Sequence, residues 1–294
     1  EAVYDRWALP PYGIRLGLMP ILLHAMLMAN RKEIALYRDG VFCPDFKEAY
    51  IDEFLAKPKR FGLRTVDASA DKALKEKFAT LTETLTEHSE LMIARELVRK
   101  VLALPKLILQ TDRLSTTTRL IRDAIKNAND PHELINLQLP EIVGAKSNKD
   151  FNQTLSSALA ELESAFGQML QKLESSILID LEVKARNFER LKLRASKLQG
   201  RTGDFKLDSF VMRLANWDGD RQTVEGILSL AVGKPSHMWR DLDIERGLLV
   251  IKEWIVEFKK LELLVFSDAD SSRQLFQVVI GSGIKGTPYF GEIL

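Results

Sequence analysis

The stretch EIALYRDGVF, residues 33–42, decides how the N-terminal part of this chain is read. Two short runs of aliphatic and aromatic residues flank Asp39-Gly40. An Asp-Gly pair supplies the two left-handed backbone positions that a tight type I′ turn requires, so the stretch predicts a β-hairpin. Immediately before it runs GLMPILLHAMLMA, residues 17–29, the most apolar segment of the chain. That run is well short of the roughly 20 residues that span a bilayer. It therefore predicts a buried helix, from about Ile14 to Asn30. Pro20 either kinks this helix or stands at its true start. After the hairpin, Asp45 is placed to cap a helix through about Ala56, which Pro58 ends. RFGLRTV, residues 60–66, then reads as a third strand. Helix, hairpin, helix and strand within about 65 residues make a small α+β module. It is either a winged-helix variant or a three-stranded sheet with helices on one face.

From Ser69 onward the apolar spacing becomes three and four, the period of amphipathic helices. DKALKEKFATLTETLTE (71–87), ELMIARELVRKVLAL (90–104) and LSTTTRLIRDAIKNA (114–128) all follow it. Ser115 suits an N-cap, and Asp130 with Pro131 makes a cap followed by proline in the first turn. Pro140 and Gly144 mark a break. Ser147 and Asp150 then fit a capping box. It opens an apolar stripe of Leu155, Leu159, Leu162, Phe166, Met169, Leu173 and Ile177, close to a heptad seam. Apolar residues continue to about Leu198, so one very long helix is expected. A helix from Asp241 to about Phe266 is its natural antiparallel partner. RQLFQVVIGSG (273–283) reads as a strand.

The expected organisation is thus mainly α. A winged-helix-like α+β module covers 1–68 and a helical region 69–145. A long-helix arm with a bundle covers 146–266, and a β tail, read as truncated, 267–294. Both ends of the chain read as cut edges of a longer protein.

Composition narrows the function. Lys plus Arg number 42 against 41 Asp plus Glu, a net charge of +1. Nothing in that balance draws the chain as a whole to nucleic acid or anionic lipid, so any such surface must be local. Cys43 is the single cysteine and cannot form an internal disulfide. That suits a cytoplasmic setting. No membrane contact and no cofactor is expected. There is no G-x-x-x-x-G-K-[ST], no G-x-S-x-G and no H-E-x-x-H. GSGIKG (281–286) has no helix expected behind it. His24, His88, His132 and His237 lie far apart with no metal-ligand spacing. SDADSS (267–272) lacks the glycine and closing glutamate of a calcium loop. Trp7, Trp217, Trp239 and Trp254 read as core or interface anchors, with Trp239 clamping a helix corner. No catalytic residue is expected.

One cluster of charge stands out. Between Lys184 and Lys206 there are eight cations and only Glu189 and Asp204 as acids. Arg186, Arg190, Arg194, Lys197 and Arg201 are spaced 4, 4, 3 and 4. On a persistent helix they would share one face. Such a stripe is the candidate contact for DNA or a protein partner. The alternative is a solvated face whose cations suit a helix C-terminus.

Several blocks carry a resemblance. They are PPYGIRLGLMPILL (10–23), DGVFCP (39–44) and KPKRFGLR (57–64), then LSTTTRLIRDAIKNANDPHELINLQLPEIVG (114–144), LRASKLQ (193–199) and VGKPSHMWRDLDIERG (232–247). Together they resemble a helical C-terminal region of large bacterial P-loop ATPases of phage-defence, BREX-like, type. The resemblance implies an accessory region whose nucleotide site lies upstream, with the rest of a larger polypeptide, a protein partner or DNA as its contacts. A self-standing DNA-binding or regulatory protein is the alternative.

Overall fold

The computed structural model describes residues 2–46, 48–66, 72–82 and 89–268. It is mainly helical, with a small three-stranded antiparallel sheet near the N-terminus. The chain divides into two compact units, Glu1–Ala165 and Phe166–Leu294. Each is taken by itself below.

The first unit begins with α1 (Ala2–Ala8) and α2 (Met19–Ala29). Pro20 sits in the first turn of α2, where a missing N–H breaks no helical bond. It starts the helix instead of kinking it. The expected hairpin follows as β1 (Ile34–Arg38) and β2 (Val41–Cys43). Asp39 at φ 51° and Gly40 at φ 80° both take the left-handed region, as a type I′ turn demands. After α3 (Glu48–Ala56), β3 (Phe61–Thr65) pairs with β1, giving the order β2-β1-β3. Residue 47, at the start of α3, lies outside the described residues, and with it the expected cap of this helix. Asp45 accepts hydrogen bonds from Nε and Nη2 of Arg99 at 3.1 and 2.7 Å.

Register places Leu36 opposite Leu63, and Arg38 opposite Phe61. Alternation then puts Ile34, Phe61 and Leu63 on one face. They pack on Leu23 and Leu27 of α2 and Phe54 of α3, as does Trp7 of α1. The other face is also covered: Ala35 and Phe42 are buried, and the Tyr37 hydroxyl donates to Asp130 at 3.2 Å. Burial, with Asp130 beside it, pushes the Tyr37 phenol up to about 12. Arg64 pairs with the same carboxylate. The sheet is therefore not a layer with packing on one face only.

The helical part of this unit holds α4 (Lys72–Lys77), α5 (Ala79–Thr82), α6 (Glu90–Leu102) and α7 (Thr116–Lys126). Ser115 caps α7 by accepting from the Thr118 amide. Asp130 caps α8 (Pro131–Glu133) by accepting from His132 and Glu133. Leu91, Ile93, Leu97, Ile121, Ile125 and Leu134 form its fully buried centre. Pro140 does not end a helix here. A π turn, Leu134–Gln138, runs straight into α9 (Leu139–Val143). Proline normally clashes with the carbonyl four residues back, and the wider turn accommodates it. Gly144, at φ 59°, provides the actual stop.

α10 (Asn148–Asp180) opens on the expected Ser147–Asp150 box, and the unit boundary falls within it. In its first half, Phe151 meets Phe78 edge-on at 5.2 Å.

In the second unit the long helix ends sooner than expected. It stops at Asp180 instead of running to Leu198. Glu182, Ala185 and Arg186 all adopt positive φ, and α11 (Phe188–Ser196) starts afresh on an Asn187 cap. α12 (Phe205–Ala215), α13 (Arg221–Val232) and α14 (Asp241–Asp268) complete the unit. The backbone of α14 comes close to that of α13. Gly247 makes that crossing close: a Cβ there would lie 2.7 Å from Leu228 Cδ1 and 2.8 Å from Val232 Cγ2. Trp239 is fully buried, donates to the Lys234 carbonyl at 3.0 Å and stacks on Phe166. It holds the α13–α14 corner, as expected. The strand expected at 273–283 and GSGIKG lie outside the described residues, as does His88.

Candidate contact surfaces and the α2–α6 cleft

The five candidate cations do not share one helix face. Arg186 lies before α11, Arg190 and Arg194 lie on it, Lys197 is its C-cap residue, and Arg201 lies beyond it. The break at Glu182–Asn187 separates Arg186 from the rest. Arg194 turns inward. Its Nε and Nη2 meet the Glu262 carboxylate at 2.6 and 2.8 Å, and Nη1 donates to the Leu181 carbonyl at 2.7 Å. The Glu262 hydrogen bond raises its pKa against the opposing effect of burial. Arg186 pairs with the buried carboxylate of Glu174, and Lys192 with Asp218. Arg190, Lys197 and Arg201 remain exposed, with no ion-pair partner among the described residues. A stripe of five reduces to three exposed cations, Arg190 in the first turn of α11 and Lys197 and Arg201 at and beyond its end.

A second surface was not legible as one. α2 is apolar on every side, and such a helix is ordinarily buried all round. Only Met19, Leu23 and Leu27 are buried. Leu16 is 74% exposed and Ile21 65%, and Leu9, Tyr12, Leu18 and Leu22 are exposed beside them in sequence. The apolar run itself was the available signal; which faces the fold covers is a tertiary matter.

The third feature is a cleft of about 390 Å³ in the first unit. The C-terminal end of α2 brings Leu27 and Met28, and the turn after it Arg31 and Lys32. The hairpin and the segment after it bring Ile34, Leu36, Cys43, Pro44, Asp45 and Phe46, and α6 brings Met92, Arg95 and Arg99. Spacings of three and four put the α6 residues on one face. Arg95 donates to the carbonyls of Arg31 and Ile34, the latter at 2.8 Å, while its Nε is buried without a partner. Burial lowers the Arg95 pKa, and the Asp45 hydrogen bond raises that of Arg99. Sequence reading missed this site because its walls are about 50 residues apart in the chain.

The remaining expected features are ordinary. Cys43 is a buried thiol outside any disulfide. The His24 ring lies 4.9 Å from Phe46, with Nδ1 buried and unpartnered. His132 does have an acidic neighbour, Glu90 at 3.0 Å, distant in sequence. Among the described residues no group of three or more His, Cys, Asp or Glu could hold a metal ion, and no helix is long and apolar enough to cross a membrane. Comparison with family models, with curated proteins and with solved structures finds no match for this chain, so its function rests on its own residues.

Proposed function

We propose that this chain is a non-catalytic contact region of a larger, ATPase-type bacterial protein, and that it docks on protein through the uncovered apolar side of α2. The observation that carries this reading is that helix itself. Its sequence is apolar apart from His24, yet Ile21, Leu22 and Met28 on it are left to solvent, and Leu16 and Leu18 just before it are largely bare. Contiguous exposed apolar surface of this kind marks protein contacts. Leu16→Glu with Ile21→Glu lies outside the buried cluster of this module. The double variant is expected to leave the melting temperature unchanged. It should abolish association, read by light scattering, with the remainder of the full-length gene product supplied as a separate polypeptide. Association that survives refutes the surface, and a full-length gene without a Walker-A segment refutes the ATPase part.

DNA contact is the second reading, supported by the exposed and unpaired Arg190, Lys197 and Arg201. Duplex binding would fall steeply with salt. Arg190→Glu with Lys197→Glu should remove it, and binding that ignores both salt and these charges eliminates nucleic acid from the account.

A further inference from the structure

We propose that the cleft between α2, the hairpin and α6 binds a small organic phosphate, with the phosphate against Arg31, Arg95 and Arg99 and an apolar body against Leu27, Phe46 and Met92. The inference is independent of the α2 surface and stands on three observations. The first is shape: about 390 Å³ is within the usual range of small-ligand sites. The second is charge. Arg31, Lys32, Arg95 and Arg99 line the cleft with Asp45 as the acidic residue of the lining, and Glu96 pairs with Arg99 at 2.9 Å, in a chain whose total is +1. The third is the state of those cations. Arg95 meets only backbone carbonyls through its outer nitrogens, and its Nε has no partner at all. The Arg31 guanidinium is exposed and pairs with no carboxylate among the described residues.

The chemistry of the ligand follows from the walls. Guanidinium groups bind planar or tetrahedral oxyanions through paired N–H donors. Arg99 already does so with Asp45, whose two oxygens accept at 2.7 and 3.1 Å. Asp45 is thus a resident carboxylate in competition with an incoming phosphate. The apolar wall would be wasted on inorganic phosphate, so the ligand carries a body, either the base of a mononucleotide or an alkyl chain. Phe46 and the sulfur of Met92 suit either.

The test is calorimetric titration of the whole chain at low salt with AMP, octyl phosphate, adenosine and inorganic phosphate. AMP or octyl phosphate is expected to bind at least tenfold more tightly than inorganic phosphate, and which of the two does so tells a nucleotide from a lipid-derived source. AMP should exceed adenosine by a similar factor. Arg31→Ala with Lys32→Ala changes only exposed side chains and should weaken the tight ligand about tenfold. Asp45→Asn should strengthen it severalfold. Neither phosphate ester exceeding inorganic phosphate, adenosine binding as well as AMP where AMP is the tight ligand, or affinity indifferent to the Arg31/Lys32 and Asp45 variants would each overturn the site.

Discussion

Arg122→Met should loosen the loop between α6 and α7. Arg122 lies on the buried face of α7 between Ile121 and Ile125 and is 3% exposed. Its Nη1 donates to the carbonyls of Ile108 at 3.0 Å and Thr111 at 2.6 Å. Those two bonds anchor to α7 a loop whose own backbone bonds are a few turns, such as the Ile108 amide to the Pro105 carbonyl and the Thr111 amide to the Leu107 carbonyl. A hydrogen bond from a charged donor contributes about 1.5–3 kcal/mol, and a buried carbonyl stripped of its donor keeps its desolvation cost. The neighbouring Asp123 is half exposed, so water replaces the guanidinium there and little is lost. Burying the guanidinium itself offsets part of the gain. The net cost comes to about 3 kcal/mol, and methionine retains much of the stem packing. In hydrogen exchange this is roughly a 150-fold rise in exchange of the protected amides in 103–126. Arg122→Lys keeps a charge that reaches one carbonyl and should cost about half as much, a rise of roughly tenfold. A change below about fivefold for Arg122→Met, or equal changes for Met and Lys, would refute the idea that the forked guanidinium holds this loop.

Three further predictions rest on single contacts. Burial would raise the Glu161 carboxyl, but hydrogen bonds from the Thr118 hydroxyl and from the amide and hydroxyl of Ser115 outweigh it and hold the pKa below the ordinary glutamate value. A depressed folded pKa means stability present above the unfolded value, near 4.3, and lost as pH falls through the folded one. Acid unfolding of Glu161→Gln should accordingly show a shallower pH dependence below about pH 4.5, and an unchanged profile counts against the contact. Gly247→Ala should destabilise by about 1–3 kcal/mol in spite of alanine's better helix propensity, because its Cβ meets Leu228 and Val232 at under 3 Å. Chemical denaturation should show Leu228→Ala recovering part of that loss in the double variant, whereas strictly additive costs contradict a clash. Arg194→Ala should cost about 1–2 kcal/mol and couple to Glu262→Ala in a double-mutant cycle, while Arg190→Ala stays within about 0.5 kcal/mol.

Much of the local structure was legible in the chain, and the reasons are local. Asp39-Gly40 dictates its turn through backbone preference, and Ser115, Asp130 and Ser147 cap helices with their own side chains. These are interactions between residues a few positions apart. The end of α10 was not legible, because neither proline nor glycine stands between Asp180 and Phe188. Ordinary residues take positive φ there, and tertiary contacts accompany the break: Leu181 is fully buried and its carbonyl accepts from Arg194. The same break dissolved the five-cation stripe, since a regular spacing defines a face only while one helix lasts. Pro140 erred in the opposite direction, its clash absorbed by a π turn that no propensity announces. The cleft could not be read at all from spacing: Arg31 and Arg99 meet only through the docking of α6 beside the hairpin.

Cys43 has one more consequence. It is the chain's only thiol, on the short edge strand β2, with its sulfur buried. A thiol reagent reaches it from the cleft that it lines or when that strand lifts away. The labelling rate at Cys43, divided by that of an unhindered thiol, therefore reports how open this corner of the sheet is. Nature has left a single kinetic reporter on the sheet, beside the cleft, that needs no added probe site. A ligand seated in the cleft would hold the strand down and show itself as slower labelling of the unaltered chain.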